Sequence, residues 1–431
     1  MLKGIPLPPE ATLVRRYGSI ASDNDRCDVA LLHAVDRNVA DFLVTQDNGI
    51  HRRAQLAGLE DRVFRVQDAV EWLRRTYDPK AVALPYLVDR RCYELNPEDP
   101  IFVTLREDYP DFDTWFRKVQ HRPCWVLEVA GETAGILIRK DEEPRAESDA
   151  TLSGDKILKI ATFKVSEKFR GEKFGEHLLK QVLWYAQRNR YDLIYVTAFP
   201  STQAVLIDLL THFGFRHTSD RANGEAILEK QLGTGPLTEV GLDVIGLDVK
   251  YYPRFVADER VDAYCIPIQP RWYRVLYPEN EVQPELPFEG GVDRTPGNTI
   301  RKVYLCRTQT KVILPGSILL FYVSGDAPGS GQVRTVGIVE RMQEASDAGA
   351  LLRLTGRRSV YSDVDQVLMA ADVDRPVKVI DFLLVGHLDR PMILRDLIAN
   401  EILSAAPQSI VRLKPGALEA LSLHARLGFG P

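Results

Sequence analysis

The sequence has little cysteine and no excess of positive charge. Its five cysteines are Cys27, Cys92, Cys124, Cys265 and Cys306. An odd number at such wide spacing supports neither a disulfide framework nor a zinc site, and it fits a reducing compartment. The formal net charge of −5 excludes an overall positive field of the kind that attracts nucleic acids or membranes. Any such partner would need a local basic patch.

Long apolar runs are also missing. The N-terminal segment 1–22 has no apolar core of the kind that a signal peptide requires. The longest apolar runs, such as SILLFYV at 317–323, are far too short to cross a bilayer as a helix. We therefore expect a cytoplasmic protein with no membrane partner.

The composition is that of a globular chain. With 431 residues, of which 45% are hydrophobic and 27% charged, the chain is long enough for two or three domains with their own cores. The order of apolar patterns divides it into three parts, at 1–78, 96–235 and 250–431. We expect a multidomain protein of mixed α/β and α+β class.

The N-terminal part alternates between helical and strand patterns. Helices are predicted at 28–38, 50–59 and 68–77, and strands at 41–45 and 62–66, which is typical of a small parallel α/β unit. Asp28 begins the first helix and Asp47 follows the first strand. Two carboxylates at such positions could share a Mg²⁺ ion. The alternative is a purely structural role for both residues, with Asp28 as a helix N-cap and Asp47 as a turn residue.

With Thr45 in the run LVTQD, residues 25–76 resemble the C-terminal half of a PIN domain nuclease. The resemblance implies that Asp28 and Asp47 are the third and fourth metal-binding acids of that family. The first two acids would lie tens of residues upstream, where only 27 residues precede Asp28. We expect a truncated or degenerate PIN-like unit without nuclease activity, for which a misassigned start codon is another explanation. A linker is predicted at 77–91.

The central part has a strand pair at 124–140, a third strand at 156–166 and the turn RGEKFG at 170–175. The helix that follows has its apolar residues on one stripe, namely Leu178, Leu179, Val182, Leu183 and Ala186. A strand, a turn and a helix in this order bring backbone N–H groups and the positive end of the helix dipole together, where a phosphate binds. A turn that only starts the helix is the alternative. Lys173 stands where such turns often carry glycine, and it suits phosphate binding if its φ is negative.

These elements are followed by a strand at 192–199, a helix at 203–213 and the motif FGF at 213–215. In this order and spacing, residues 97–235 resemble the Gcn5-related N-acetyltransferase (GNAT) superfamily. The resemblance implies a mixed sheet with helices on both faces and acetyl-CoA as cosubstrate. It implies that backbone amides of the turn bind the pyrophosphate, and that Phe163 and Val165 lie beside the acyl carbonyl. The turn residues are Arg170, Gly171, Glu172, Lys173, Phe174 and Gly175.

The family's usual proton donor is absent. Many members have a tyrosine four residues before the glycine of GF, and here that position is Leu210; the family asparagine before it is missing too. His212 is a candidate substitute because its ordinary pKa lies near neutrality, but on a helix it points away from position 210, which favours the alternative of a surface residue. Glu128, on the first strand of the pair, is a candidate base. The catalytic acid and base stay unassigned.

The C-terminal part is rich in strand patterns, at 302–310, 316–324, 334–342 and 375–385, which predict a β-barrel with added helices. The runs ILPGSILLFYVSGD and RTVGIVERM resemble the PUA-like barrels of ASCH and EVE type. That resemblance implies a base or RNA ligand. Arg353, Arg357 and Arg358 could contact phosphate and Tyr361 could stack on a base, with a solvated turn as the alternative. Aromatic residues at 263–279 indicate either a stacking platform or core packing.

These patterns favour an N-acetyltransferase that moves acetyl from acetyl-CoA to an amine acceptor, with RNA or an RNA-bound protein as a candidate acceptor. The alternative is a non-catalytic regulator that binds RNA or another partner through a degenerate acetyltransferase domain, as in a toxin–antitoxin or defence system. Mg²⁺ is expected only if the PIN-like part is active. No pattern identifies the acceptor or the oligomeric state.

Overall fold

The computed structural model describes residues 6–66, 69–70, 72–73, 86–142, 148–233, 236–278, 299–325, 329–372 and 374–424. Within these ranges the strands form three sheets, of two, seven and six strands. The sheets follow one another along the chain, and helices flank each of them. The architecture is therefore the mixed α/β multidomain type expected from the sequence. In the described ranges, no helix combines the length and the apolar character needed to cross a bilayer.

The N-terminal unit packs three helices against a short parallel sheet. The helices are α1 (Glu10–Tyr17), α2 (Asp23–Asp36) and α3 (Asn48–Ala57), and the strands are β1 (Leu43–Val44) and β2 (Val63–Phe64). Helix α2 begins five residues before the predicted start because Ser22 and Asp25 form a capping box. Asp28 therefore lies inside the helix and not at its start. Only four residues of the helix predicted at 68–77 lie in the described part.

The central sheet has the strand order β3-β4-β5-β6-β7-β9-β8. Its strands are β3 (Tyr86–Arg91), β4 (Pro123–Val129), β5 (Glu132–Glu142), β6 (Ile157–Val165), β7 (Leu193–Ala198), β8 (Arg216–Asp220) and β9 (Ala226–Gln231). Strands β6 and β7 run parallel and the other neighbours run antiparallel, so the sheet is mixed as predicted. The linker prediction at 77–91 was wrong for residues 86–91, because this segment pairs with β4 along its whole length.

Helices cover both faces of this sheet, as predicted. Helices α4 (Val103–Asp108) and α5 (Phe112–Lys118) lie on one face, where they pack on Val126 and Ile136. Helices α6 (Phe174–Arg188) and α7 (Ala204–His212) share the core of the other face. The apolar stripe of α6 is fully buried there, which explains why a stretch with this periodicity folds as a helix on a sheet.

The C-terminal sheet has the strand order β11-β14-β13-β12-β10-β15. Its strands are β10 (Ala263–Ile268), β11 (Arg301–Cys306), β12 (Ile318–Val323), β13 (Gln332–Glu344), β14 (Lys378–Ile393) and β15 (Val411–Arg412). The prediction of a β-barrel was wrong for the described residues. The edge strands β11 and β15 each pair with one neighbour and do not pair with each other. Edge strand β15 has only two residues, too few to close the sheet onto β11. Tyr264, Tyr273 and Tyr277 are buried in its core, as the core-packing alternative predicted.

The remaining helices surround this sheet. They are α8 (Val244–Tyr251), α9 (Pro270–Leu276), α10 (Ala348–Thr355), α11 (Asp363–Ala370), α12 (Leu394–Ala399) and α13 (Ala417–His424).

Helix α6 lies between the central and the C-terminal sheets. Ile300 and Leu383 of the C-terminal part are fully buried in the same core as the α6 stripe. Trp184 of α6 donates its indole N–H to the Tyr252 hydroxyl at 3.2 Å, and Tyr252 donates to the backbone carbonyl of Leu384 at 2.6 Å. The helix that follows the RGEKFG turn is therefore held from both sides.

Candidate functional site

Strands β6 and β7 separate part-way along the central sheet. They pair from Ile157 opposite Leu193 to Ile160 opposite Val196, and beyond that point residues 161–165 keep only β5 as a partner. The Ser166 N–H donates to the carbonyl of Ala134 on the β5 side. Because N–H directions alternate along an antiparallel ladder, the N–H groups of Phe163 and Val165 point away from β5 into the gap. The gap thus has two backbone donors at the positions named from the sequence.

The RGEKFG turn leads from β6 to an uncapped helix N-terminus. No side chain caps α6, so the N–H groups of its first turn, at Phe174, Gly175 and Glu176, have no acceptor within the helix. The N–H groups of Arg170 and Glu172 instead donate to carbonyls of the short turn before them. The donors available to an anion are therefore fewer than the six residues of the motif.

Lys173 has φ +59° and ψ +21°, which is the left-handed conformation. The condition that the sequence analysis set for phosphate binding, a negative φ at Lys173, is not met, because the entry into α6 has a left-handed residue at the position where such turns often carry glycine. A side chain in this conformation costs about 1–2 kcal/mol. Gly175 has an ordinary helical φ, and a Cβ there would lie 3.4 Å from Leu209 and 3.9 Å from the Phe163 ring. A Cβ at this position would thus be in ordinary van der Waals contact with its neighbours.

A cavity of about 340 Å³ adjoins the gap between β6 and β7. Helices α4 and α5 form one wall and the separating strands form the other. Its apolar and aromatic lining comprises Leu105, Tyr109, Phe112, Trp115, Phe163 and Leu206. Phe163 lines the cavity and its ring also lies beside Gly175, so β6 extends from the cavity towards the N-terminus of α6.

A buried carboxylate organises one side of this cavity. Glu225 is 2% exposed, and its Oε1 accepts the hydroxyls of Tyr109 at 3.0 Å and Thr197 at 3.1 Å. Its Oε2 accepts Arg221 at 2.8 Å and Asn223 at 2.9 Å. Burial acts to raise the pKa of Glu225, but these hydrogen bonds outweigh it and hold the pKa below its ordinary value. Burial and the charge of Glu225 raise the pKa of Tyr109. Glu225 is thus a weak base that fixes its neighbours.

The sequence analysis missed both Tyr109 and Glu225. They lie 116 residues apart, and no local pattern marks either of them. The one available signal was a glutamate directly before the apolar start of strand β9, AIL, where a buried charge needs partners.

The catalytic candidates named from the sequence lie elsewhere. Glu128 is on β4 and forms an ion pair with Arg90 at 2.6 Å, two strands away from the gap. His212 is at the end of α7, with its ring edge-on to Phe213 at 5.1 Å. Neither lines the cavity. Leu210 is fully buried in the core, and a leucine side chain has no hydroxyl to donate into the gap.

Asp28 and Asp47 lie close together in the N-terminal unit. Burial and the charge of Asp47 raise the pKa of Asp28. Asp47 caps α3, since its Oδ1 accepts the N–H groups of Gly49 at 2.6 Å and Ile50 at 3.2 Å. In the described ranges, no cluster of three or more His, Cys, Asp or Glu side chains is arranged to hold a metal ion. The structure thus places Asp28 and Asp47 close together, and Asp47 is the N-cap of α3.

The basic residues near LTGRRSVY contact the protein itself. Arg358 donates to Asp381 at 2.9 Å, and Arg353 forms an ion pair with Asp61 of the N-terminal unit at 3.0 Å. The side chain of Arg357 lies outside the described part of the structure. Tyr361 and Trp272 have ring centroids 4.7 Å apart and line a cavity of about 140 Å³. Arg353 and Arg358 are therefore not residues of a solvated turn.

Comparisons with known proteins agree with the central fold. Residues 90–215 match the model of the acetyltransferase (GNAT) family. Among curated proteins, no relative matches the chain. Similar solved structures include an acetyl-CoA-bound GNAT family acetyltransferase from Elizabethkingia anophelis, with 18% identity over 34% of this chain and 98% of that chain, at a TM-score of 0.25.

Two further solved structures are similar to parts of the chain. One is the IAA acetyltransferase from Bacillus cereus ATCC 14579, with 17% identity over 33% of this chain and 97% of that chain, at a TM-score of 0.26. The other is ASCH from Zymomonas mobilis, with 15% identity over 38% of this chain and 96% of that chain, at a TM-score of 0.29. Likenesses this distant say nothing about what the chain binds. The family match is what identifies residues 90–215 as a GNAT acetyltransferase domain.

Proposed function

We propose that the central domain transfers the acetyl group of acetyl-CoA to an amine, by direct attack while donor and acceptor are both bound. One observation carries this proposal: the gap between β6 and β7 lies beside a partly open cavity, and β6 leads on to the N-terminus of α6, which has no side-chain cap. The helix N-terminus is suited to a pyrophosphate, and the cavity is suited to a small acceptor. The family match of residues 90–215 supports acetyl-CoA as the donor.

The donor would be held by backbone groups. The N–H groups of Phe174, Gly175 and Glu176, together with the helix dipole, favour the pyrophosphate at the start of α6. The N–H groups of Phe163 and Val165 in the gap are positioned to stabilise negative charge on the acyl oxygen during attack. These donors belong to Phe163, Val165 and the residues after Lys173, so the left-handed conformation of Lys173 does not remove them.

In the proposed reaction a neutral amine nitrogen attacks the thioester carbonyl, a C–N bond forms and the C–S bond breaks. The amine loses one proton and the CoA thiolate gains one, so the reaction is balanced. Leu210 supplies no acid, and the hydroxyls of Tyr109 and Thr197 donate to Glu225. We therefore propose that this proton moves from the amine to the thiolate directly or through water, with no dedicated acid from the described residues of the gap.

The alternative function is a non-catalytic regulator that binds acetyl-CoA, RNA or a protein partner. The buried Leu210 favours it, because the usual proton donor is absent. Release of CoA in the presence of an amine distinguishes an enzyme from such a binder, and salt-dependent RNA retention is expected of an RNA-binding protein. RNA or an RNA-bound protein as acceptor, a cytoplasmic location and Mg²⁺ in the N-terminal unit rest on sequence resemblance and composition alone.

Calorimetric titration of acetyl-CoA into the full-length protein tests the donor site. Gly175→Asp puts a carboxylate beside the expected pyrophosphate, and Gly175→Asn has nearly the same shape without the charge. We expect saturable binding by the wild type, and binding at least about tenfold weaker for Gly175→Asp than for Gly175→Asn, which corresponds to about 1.4 kcal/mol. Absence of binding to the wild type, or equal affinities of the two variants, would contradict the proposal.

A further inference from the structure

Four cationic side chains line the cavity beside the gap, namely Arg122, Lys140, Lys159 and Arg221. Three of them have carboxylate partners: Lys140 with Glu142 at 3.1 Å, Lys159 with Asp149 at 2.9 Å, and Arg221 with Glu225 at 2.8 Å. Within the described part of the chain, Arg122 forms no ion pair and no side-chain hydrogen bond. One cation of the cavity wall is thus left without a protein partner.

Arg122 is a partly exposed residue of the cavity wall, where a ligand can reach its side chain. The side chain is half-buried, and its guanidinium carbon lies 5.8 Å from the centroid of the Trp115 ring. Asp111, an exposed acid of the same cavity, is not within ion-pair distance. Burial lowers the pKa of Arg122 and nearby Glu142 acts in the opposite sense, and a guanidinium remains protonated at neutral pH. A guanidinium in the cavity wall without a carboxylate partner favours an anionic ligand group beside it.

The buried carboxylates of the cavity have no such spare capacity. Glu225 accepts four hydrogen bonds, two at each oxygen. Glu142 accepts Tyr195 at 2.7 Å and Lys140 at 3.1 Å. Both buried carboxylates are therefore already engaged by donors of the chain. Among the described charged residues of the lining, Arg122 and Asp111 form no ion pair, and one charge of each sign favours an acceptor with both an amine and an anionic group over one with amines alone.

We infer that the acceptor is an amine that also carries a carboxylate or phosphate, and that Arg122 binds this anionic group while the amine faces the gap. This inference rests on the proposed acetyl transfer and adds its substrate class. The planar guanidinium can donate two parallel hydrogen bonds to either anion. Trp115, in contact with Arg122, gives the body of the acceptor a flat apolar surface.

The test measures CoA release with matched pairs of amine probes that differ in the anionic group. Each of several amino acids is compared with its amide, and phosphoethanolamine is compared with ethanolamine; spermidine serves as the cationic probe. For the wild type we expect kcat/KM to be at least about tenfold higher for the preferred anionic probe than for its neutral partner, since a charge-assisted pair contributes at least about 1.4 kcal/mol. The relative preference for carboxylate and phosphate probes distinguishes the two anions.

Variants connect this preference with Arg122. In Arg122→Gln the ratio between anionic and neutral probes should fall to near one, and Arg122→Lys should keep part of it because the charge remains without the fork. Arg117→Gln removes a similar charge from the exposed end of α5 and should leave the ratio unchanged. Titration of acetyl-CoA into each variant checks that the fold and the donor site are intact.

The outcomes separate the two proposals. If acetyl-CoA does not bind to the wild type, the proposed transferase function fails and the inference fails with it. Suppose that acetyl-CoA binds to the wild type. Any one of three results then overturns only the inference on Arg122: the paired probes react equally, spermidine is preferred, or no anionic amine is acetylated. An unchanged ratio in Arg122→Gln overturns it as well.

Discussion

The carboxylate of Glu176 accepts the backbone N–H of Ile300 at 2.7 Å, and the same oxygen accepts the N–H of Arg301 at 2.9 Å. Glu176 is in the first turn of α6, beside the proposed pyrophosphate site, and Ile300 leads into strand β11 of the C-terminal sheet. Ile300 is fully buried in the core that α6 shares with the central sheet. Glu176 therefore fixes the start of α6 to the C-terminal part of the chain.

Replacement of Glu176 should weaken this connection. In Glu176→Ala two backbone N–H groups lose a charged acceptor, and we expect a loss of about 2–4 kcal/mol in the free energy of unfolding. Glu176→Gln keeps an oxygen acceptor without the charge and should lose about half as much. Denaturant unfolding followed by circular dichroism measures both changes. Equal stability of wild type and Glu176→Ala would show that water replaces the carboxylate without cost.

Much of the central domain was predictable because its patterns are local. The stripe from Leu178 to Ala186 has a helical period, and the runs around Val126 and Ile160 have the apolar character of buried strands. Strand β3 was missed because YLVDRR is short and half charged, and it becomes a strand through its pairing with β4. A pairing of this kind is a tertiary interaction that propensity does not report.

The candidate site was less predictable than the fold. Backbone donors at Phe163 and Val165 follow from a motif, but the arrangement around Glu225 combines residues from 109 to 225. Arg122 lies in a turn between α5 and β4, and nothing in its neighbours along the chain indicates that it lines a cavity. The closed barrel was a wrong prediction, since strand patterns do not reveal whether edge strands meet.

The left-handed conformation of Lys173 leads to a prediction about stability. Lys173→Ala removes the side chain and keeps a Cβ at φ +59°, whereas Lys173→Gly removes the Cβ as well. We expect the glycine variant to be more stable than the alanine variant by about 1 kcal/mol, the reverse of the usual order at a helix position. Comparison of the two variants isolates the backbone effect from the contacts of the lysine. A more stable alanine variant would contradict a left-handed residue at the entry to α6.

A buried acid in α8 makes the stability of the chain depend on pH. Asp248 is fully buried, and its Oδ1 accepts the N–H of Val256 at 2.7 Å. In the described structure its Oδ2 has no hydrogen-bond partner. Burial raises the pKa of Asp248 to about 7, with Asp243 and Asp258 acting in the same direction and Arg260 against it. The native carboxyl is therefore protonated at mildly acidic pH, where the unfolded one is ionised.

Between about pH 4 and pH 7 the native state consequently binds more protons at Asp248 than the unfolded state does. The contribution of this group to stability is complete below about pH 4 and falls as the pH rises towards 7. Asp248→Asn cannot ionise and keeps an oxygen for the Val256 N–H. We expect its unfolding free energy relative to wild type to rise by on the order of 2–4 kcal/mol from pH 4 to pH 7 and to change little above that. Urea unfolding across this range measures the difference, and the exposed Asp155→Asn, which removes the same charge at the surface, is the matched control. A difference that is constant with pH would mean that Asp248 is ionised in the native protein.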